Sequence, residues 1–238
     1  MKQADISKLQ PQDETARKRV ELFCELVFRL KRIHYTGNQL LDDDIQPLLK
    51  KTSKEFFEDI KNILIEYFIL EVAKLTDPAT SYVGKDEIRE NLTVSNLIES
   101  IEWQPEPLQK IKDLNKTIET FREHIIDARR RLLAHYDMKT VLSGVTLGAF
   151  PERKDLELLN SLEEMCNVFH KEAFSEIFGE MIPNHRGDVL DLIMALKKAI
   201  TFDKLISDNK GDDSERLNRF LLEFDQSSNL NHKGKVDF

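Results

Sequence analysis

Apolar residues recur every three or four positions along most of this chain, which is the spacing of amphipathic helices. The first clear stretch begins near residue 15, and we expect its helix to stop at Gly37. A second stretch, 53–76, is apolar around more than one face, which predicts a helix in the core or at a subunit interface. It should end before Pro78, because proline disfavours helix in the preceding residue.

Further helices are predicted from the same spacing. One should begin at about Glu106 and run through 128–137, and Pro151 should open another that Gly179 ends. Thr93 or Ser95 can cap a short helix at 92–103. The remaining predicted helices are shorter and cover 43–50, 186–205 and part of 208–226.

The chain is therefore predicted to be all-α, a bundle of long antiparallel helices with a C-terminal helical extension. Only 8 glycines and 7 prolines are present, too few for the turns of a sandwich or barrel. The expected organisation is a flexible leader at 1–14, the bundle at 15–182, a helical appendage at 183–228 and a frayed tail at 229–238.

A net charge of -8 and a pI near 5.4 argue against a protein that coats nucleic acid non-specifically. Cys24 and Cys166 match no CxxC pattern and are interpreted as reduced core thiols. The N-terminal residues lack the apolar region of a secretory signal, and no apolar run approaches the roughly 20 residues of a membrane helix. We expect a cytoplasmic protein that does not enter a membrane.

Most enzyme signatures are missing from the sequence, including the P-loop, GxGxxG, GxSxG and HExxH patterns. The six histidines are dispersed, and none forms a close pair with metal-ligand spacing. The acidic runs at 42–44 and 212–213 are interpreted as solvated loop charges or helix N-terminal anions. We therefore expect neither a metal nor another cofactor.

Residues 128–137, ARRRLLAHYD, place a local concentration of positive charge at the end of a long helix. The structural explanation is that cations complement the negative end of the helix dipole, with Asp127 able to pair with Arg131 four residues on. At about 100° per residue, Arg131 and His135 share a helical face, while Arg129 lies roughly 120° away. A site that uses Arg129 with His135 therefore needs the helix to end near His135, or a second copy of the motif.

This motif resembles the Arg-x(4–6)-His signature of the HEPN superfamily, and its likeness is closest to the abortive-infection type U branch. Arg129, Ala134, His135 and Asp137 fall on the branch pattern A-R-N/D-x-x-x-A-H-x-D. The block ILEVAKLTDP at 69–78 is similar to a helix end of the same branch. The likeness spans roughly residues 15–180.

The resemblance implies a HEPN-like bundle that forms a homodimer through the motif helices, with both motifs lining one cleft. It also implies a metal-independent ribonuclease of phage defence or a toxin–antitoxin pair, which an antitoxin or other inhibitory protein can restrain. Arg129 and His135 would then be catalytic, since an imidazole can move protons and a guanidinium can stabilise phosphate charge. The residues implied in RNA binding are Arg130, Arg131, Tyr136 and Asp137.

One position departs from the family pattern. The residue after the motif arginine is usually Asn, Asp or His in active members, and here it is Arg130. Two alternatives to a ribonuclease therefore stay open: a non-catalytic HEPN module that binds RNA or a nucleotide, and a dimeric helical interaction protein. Salt-sensitive RNA binding separates these two, and cleavage lost on His135→Ala separates the ribonuclease from both.

Overall fold

The computed structural model describes residues 8–83, 87–128, 153–183 and 186–208. The described part is a helical bundle with one short β-hairpin, which confirms the all-α prediction. Its helices are α1 (Glu14–Leu41), α2 (Gln46–Leu75), α3 (Val94–Ser100), α4 (Pro105–Ala128), α5 (Lys154–Phe174) and α6 (Val189–Asp208), and its strands are β1 (Thr80–Val83) and β2 (Glu87–Glu90).

Helix α5 runs antiparallel to α1. Near the start of α1, Arg17 Nε donates to the carbonyl of Ala173 at 2.9 Å, close to the end of α5. Further along α1, Lys31 lies 2.6 Å from Glu163, which is earlier in α5. The chain direction therefore reverses between these two helices, as predicted.

Helices α4 and α2 fit the same alternating arrangement. Trp103, just before α4, stacks on Phe169 of α5 with the ring centroids 4.9 Å apart, and Lys110 lies 2.7 Å from Glu164. Helix α2 returns along α1. One end of the bundle, which we call the exit end, thus holds the ends of α1 and α4 and the starts of α2 and α5.

The core lies between α1, α2, α4 and α5. The apolar stripe of α1 is buried, apart from Leu26, which is partly buried, and Phe23 meets Phe169 edge-on at 5.8 Å between ring centroids. Burying one large apolar side chain contributes ~1.5–3 kcal/mol, so this cluster supplies much of the stability of the bundle. The α1 members of the cluster are Ala16, Val20, Phe23, Cys24, Val27, Leu30 and Ile33.

Two predicted helix ends are wrong. Gly37 lies inside α1, because an isolated glycine costs a helix only ~1 kcal/mol and the next turn buries Leu40. Helix α5 ends at Phe174 instead of Gly179. There Ser175 adopts a left-handed conformation (φ 63°) and its N–H donates to the carbonyl of Lys171 at 2.8 Å, which closes the helix early.

The predicted segments 43–50 and 53–76 correspond to two helical segments within α2, which meet at a kink where Ser53 has extended backbone (φ -162°, ψ 83°). The antiparallel hairpin of β1 and β2 was not predicted. Its register pairs Thr80 with Glu90, and the side chains of Glu87–Glu90 are all exposed, so the strands lack an alternating apolar pattern.

The predicted cap of α3 is confirmed, because Thr93 Oγ1 accepts a hydrogen bond from the Asn96 N–H at 3.1 Å. Leu9, ahead of α1, pairs with the residues after α3: its N–H donates to the carbonyl of Ser100 at 2.8 Å, and its own carbonyl accepts from the Glu102 N–H at 2.8 Å. These hydrogen bonds hold Leu9 against the chain that follows α3.

Helix α6 packs on the exit end through a second, smaller core. This core joins the end of α1, the start of α2 and the start of α6, and its buried members are Leu40, Ile45, Leu49, Phe57, Val189 and Ile193. The loop predicted after His135 and the last helix predicted within 208–226 lie outside the described residues, apart from Asp208 at the end of α6.

Candidate functional site

The residues predicted to form the site lie in the segment 129–152, outside the described residues, so their roles stay predictions. The structure describes the helices on either side of that segment: α4 up to Ala128 and α5 from Lys154. The predicted site residues outside the described part are Arg129, Arg130, Arg131, His135, Tyr136 and Asp137.

The rotation of α4 in the bundle is fixed by a stripe of buried residues. Ile111, Ile118, Phe121 and Ile125 are each at most 2% exposed and recur at helical spacing. The stripe extends to within one turn of Ala128. The predicted motif therefore follows a helix whose orientation is set by the core.

At the start of α5, Asp155 makes a polar contact with α1. His34 Nε2 lies 2.6 Å from Asp155 Oδ2, and the two side chains are 11% and 27% exposed. A neutral imidazole with its proton on Nε2 donates this hydrogen bond, and an imidazolium makes it as an ion pair. The contact ties the first turn of α5 to α1.

The His34 ring also belongs to an aromatic layer. It packs against Phe68 of α2 with ring centroids 5.4 Å apart, and Phe68 meets Phe121 of α4 edge-on at 6.5 Å. The layer, with Asp155, joins α1, α2, α4 and α5 close to the exit end. The sequence interpretation missed this cluster, although His34 continues the buried α1 stripe of Val27 and Leu30.

A second contact between α1 and α5 lies about one helical turn further from the exit end, at Lys31 and Glu163. The Glu163 carboxylate accepts from Lys31 Nζ at 2.6 Å through one oxygen and from the Met181 N–H at 2.7 Å through the other. The Lys31 and Glu163 side chains are 16% and 18% exposed. Because both carboxylate oxygens are used, this pair is a structural tie between α1, α5 and the chain beyond α5.

Glu71 of α2 is the most buried carboxylate among the described ion pairs. Burial alone would raise its pKa, but hydrogen bonds from Lys74 and Arg29, both at 2.7 Å, outweigh it and lower the pKa below the ordinary value. The same carboxylate raises the pKa of Arg29 through the hydrogen bond. The charged form of Glu71 is therefore the stable one in the folded protein.

The Leu-Thr-Asp-Pro block that contributed to the resemblance is a helix stop. Helix α2 ends at Leu75, and the buried Thr76 donates its hydroxyl to the carbonyl of Val72 at 2.9 Å. Pro78 follows two residues later. The block thus has a conformational role, in agreement with the sequence interpretation.

Across the described ranges, no group of three or more His, Cys, Asp or Glu side chains could hold a metal ion. In the acidic run at 42–44, Asp42 accepts a hydrogen bond from the Asp44 N–H at 2.8 Å, which is a turn contact. Cys24 and Cys166 are free and buried, as predicted. Burial is the larger cause of the raised pKa of Cys166, and the neighbouring Cys24 is the next. Among the helices described, none is long and apolar enough to cross a membrane.

Comparison with known proteins gives one family. The family model for the HEPN protein AbiU2 matches residues 13–192, from the residue before α1 to the first turn of α6. The match covers most of the chain and includes the segment with the predicted motif. No curated protein and no solved structure matches this sequence.

Proposed function

Because the chain belongs to the AbiU2 family of HEPN proteins, we propose that it is an endoribonuclease that cleaves RNA without a metal ion. It acts in phage defence or in a toxin–antitoxin pair, in the cytoplasm, where an antitoxin or other protein inhibits it. The observation that carries the proposal is the sequence motif ARRRLLAHYD, which lies inside the region matched by the family model.

The residue types of the motif fit the chemistry of RNA cleavage. His135 removes the proton of a ribose 2′-OH, the 2′ oxygen attacks the adjacent phosphorus, and the bond to the 5′ oxygen breaks. The departing 5′ oxygen takes a proton from the imidazolium of His135, which leaves a 2′,3′-cyclic phosphate and a 5′-hydroxyl. Arg129 binds the phosphate and stabilises the charge that grows in the transition state. DNA lacks the 2′-OH and is not cut.

The spacing of Arg129 from the buried residues of α4 in the sequence supports its proposed role. Arg129 follows Ile125 by four residues and Ile118 by eleven, the spacing that continues one helical face. Arg130 and Arg131 add phosphate contacts. Tyr136 and Asp137 are proposed to contact the RNA beside His135.

The proposed active form is a homodimer in which the motif helices pair and both motifs line one cleft. Helix α2 shows the mixed character expected of a helix between core and interface: Phe68 and Val72 are buried, while Phe56 and Ile63 are 56% and 57% exposed. Exposed large apolar side chains on a core helix favour association. Light scattering of the wild type tests this dimer directly.

The cleavage proposal is tested with matched RNA and DNA oligonucleotides, EDTA and purified protein. The wild type should cut RNA only, and a single 2′-O-methyl group at the cleaved position should protect that bond because it removes the nucleophile. His135→Ala should abolish cleavage. Lys139→Ala, a loss of positive charge just outside the motif, is the matched control and should retain it.

A binding-only module is the second candidate, and the observation that favours it is Arg130. A cation at that position adds phosphate affinity but removes the hydrogen-bond acceptor that active members carry there. This candidate predicts RNA binding that weakens steeply with salt, without cleavage by the wild type. Arg130→Asn should weaken RNA binding in either case; in the binding-only module no cleavage appears, whereas in a ribonuclease bound RNA should still be cut.

A further inference from the structure

We infer that the open edge of strand β2 is an interaction surface for the same strand of a second copy of this chain. The two strands pair antiparallel about a two-fold axis at Ile88 and join two hairpins into one four-stranded sheet. This contact lies in the hairpin and is independent of the proposed ribonuclease site.

Strand β2 is the more open of the two strands. In the part of the chain that the structure describes, its one neighbouring strand is β1, and all four of its side chains are exposed. In β1, by contrast, Thr80 and Ser81 are partly buried. A two-stranded hairpin is only marginally stable by itself, and its open edge presents unpaired N–H and C=O groups to another strand.

The hydrogen-bond pattern of the hairpin shows which backbone groups of β2 are open. At its base, the Asn91 N–H donates to the carbonyl of Ala79 at 2.8 Å, and hydrogen-bonded pairs alternate along antiparallel strands. The backbone groups of Glu87 and Arg89 therefore face β1, and those of Ile88 face away from it. Within the described residues, the N–H and C=O of Ile88 make no backbone hydrogen bond.

Charge selects the register of the pairing. Because inward and outward backbone groups alternate, β2 can pair with its own copy only when the two-fold axis passes through a residue. An axis at Glu87, Arg89 or Glu90 places two like charges directly opposite each other, which destabilises the pair. An axis at Ile88 places Glu87 opposite Arg89 of the second copy, and it does so twice. Charged residues usually protect an edge strand from pairing, but here they favour one register.

The position of the two opposite charges in the ladder suits an ion pair. With Ile88 on the axis, Glu87 and Arg89 of the second copy form a non-hydrogen-bonded pair, in which the Cα atoms are only about 4.5 Å apart. Within one chain, Arg89 Nε lies 2.8 Å from Glu87 Oε1, and both side chains are about 60% exposed. The guanidinium has further N–H donors, so it can also bind the carboxylate of the second copy.

The other face of the hairpin supplies an apolar contact. Tyr82 and Ile88 are directly opposite each other, so they share one face, and they are 56% and 44% exposed. Pairing at Ile88 places this couple beside the same couple of the second copy. The result is a continuous row of four apolar side chains across the four-stranded sheet, which shields surface that is exposed in one chain.

The two helical bundles have room in this arrangement. The base of the hairpin follows the end of α2 and precedes α3, and Arg19 of α1 lies 2.8 Å from Glu90 there. In the antiparallel pairing, the base of one hairpin lies beside the tip of the other. The two bundles therefore lie at opposite ends of the shared sheet.

The test measures self-association of the full chain by sedimentation velocity over a range of concentrations. Glu87→Arg and Arg89→Glu each place like charges opposite each other in the preferred register, and each should weaken self-association by roughly tenfold or more. An equimolar mixture of the two variants should associate like the wild type, because both cross-strand pairs are then of opposite charge. Each variant alone lacks the ion pair within the chain, so recovery in the mixture reports contact between copies.

Ile88→Pro tests the backbone contact. It removes the N–H that faces away from β1 and keeps the hydrogen bonds of the hairpin, since proline is tolerated on an edge strand at such a position. Self-association should be lost, while the thermal unfolding temperature stays close to that of the wild type. Lys198→Glu reverses an exposed charge on α6 and is the control, which should associate like the wild type.

The quantity compared is the association that each variant loses relative to the wild type, because a dimer through the motif helices would remain in all of them. Equal association of the wild type, Arg89→Glu and Ile88→Pro overturns the proposal. A mixture of Glu87→Arg and Arg89→Glu that associates no better than either variant alone also overturns it.

Discussion

Arg29 of α1 and Glu71 of α2 form a hydrogen-bonded ion pair, with Nη2 and Oε2 2.7 Å apart and the Glu71 side chain only 6% exposed. The pair joins α1 and α2 where these two helices pack antiparallel. Lys74 donates to the other carboxylate oxygen at 2.7 Å. A buried carboxylate held by two cations makes the stability of the bundle depend on pH.

Glu71→Gln should destabilise the protein by ~1–3 kcal/mol at neutral pH, because it weakens two charge-assisted hydrogen bonds to a buried group. The folded-state pKa of Glu71 is lowered from 4.5, so its contribution is complete above the unfolded-state pKa and is lost as pH falls through the folded-state pKa. Urea unfolding measured from pH 7 downward should show that the difference in free energy of unfolding between the wild type and the variant becomes smaller in acid.

Glu164→Gln is the control for that experiment. Its ion pair with Lys110 also joins two helices, but both side chains are more than half exposed, so the loss should stay within ~1 kcal/mol. Equal destabilisation by the two variants at pH 7 would show that burial of Glu71 contributes nothing.

Phe169 contacts both Trp103 and Phe23 in the main core, so Phe169→Ala should cost ~3–5 kcal/mol. Denaturant unfolding followed by fluorescence of Trp103, the single tryptophan, measures this loss. Ile177→Ala serves as the exposed comparison, since this side chain is 68% exposed and its truncation should change the free energy of unfolding by less than ~0.5 kcal/mol. A Phe169→Ala protein as stable as the wild type would contradict the described core.

Gly37→Ala should stabilise the protein by ~0.5–1 kcal/mol. Gly37 lies within α1, and a Cβ at this position meets no atom within 4 Å. Gly179 is the paired control: its Cβ would also meet nothing within 4 Å, but its φ of +93° strains any other residue, so Gly179→Ala should destabilise. A Gly37→Ala protein that is less stable than the wild type would support the helix end expected at Gly37 over the one observed at Leu41.

Neither cysteine should react readily with a thiol reagent in the native protein. Cys24 and Cys166 are 0% exposed, and burial and the neighbouring Cys24 raise the pKa of Cys166, so reactive thiolate is scarce. An aromatic disulfide reagent should label both thiols in denaturant and label the native protein only at the rate of unfolding. Fast native labelling of either thiol would contradict their burial.

Much of the fold could be predicted because helical periodicity is a local signal. The buried stripe of α1, the cap at Thr93 and the stop before Pro78 each follow from residues within a few positions of one another. The extent of α1 beyond Gly37 could not be predicted in this way, since Leu40 is buried in a core that includes Val189 and Ile193 of α6, which are distant in sequence.

The candidate site likewise has a part that local sequence predicts and a part that depends on tertiary contacts. ARRRLLAHYD can be recognised from ten consecutive residues. The contact of His34 with Asp155 joins residues 121 positions apart and needs the tertiary structure. The available sequence signal was a histidine on a stripe of otherwise apolar residues, which is unusual for a solvated face.

The central claim is that His135 and Arg129 cleave RNA through the ribose 2′-OH. The most direct measurement is the chemical nature of the ends produced from a defined RNA by the wild type and by His135→Ala, with EDTA present. The account predicts 2′,3′-cyclic phosphate and 5′-hydroxyl ends from the wild type and intact RNA with the variant. Ends of another kind, cleavage that persists in His135→Ala, or no cleavage by the wild type would contradict it.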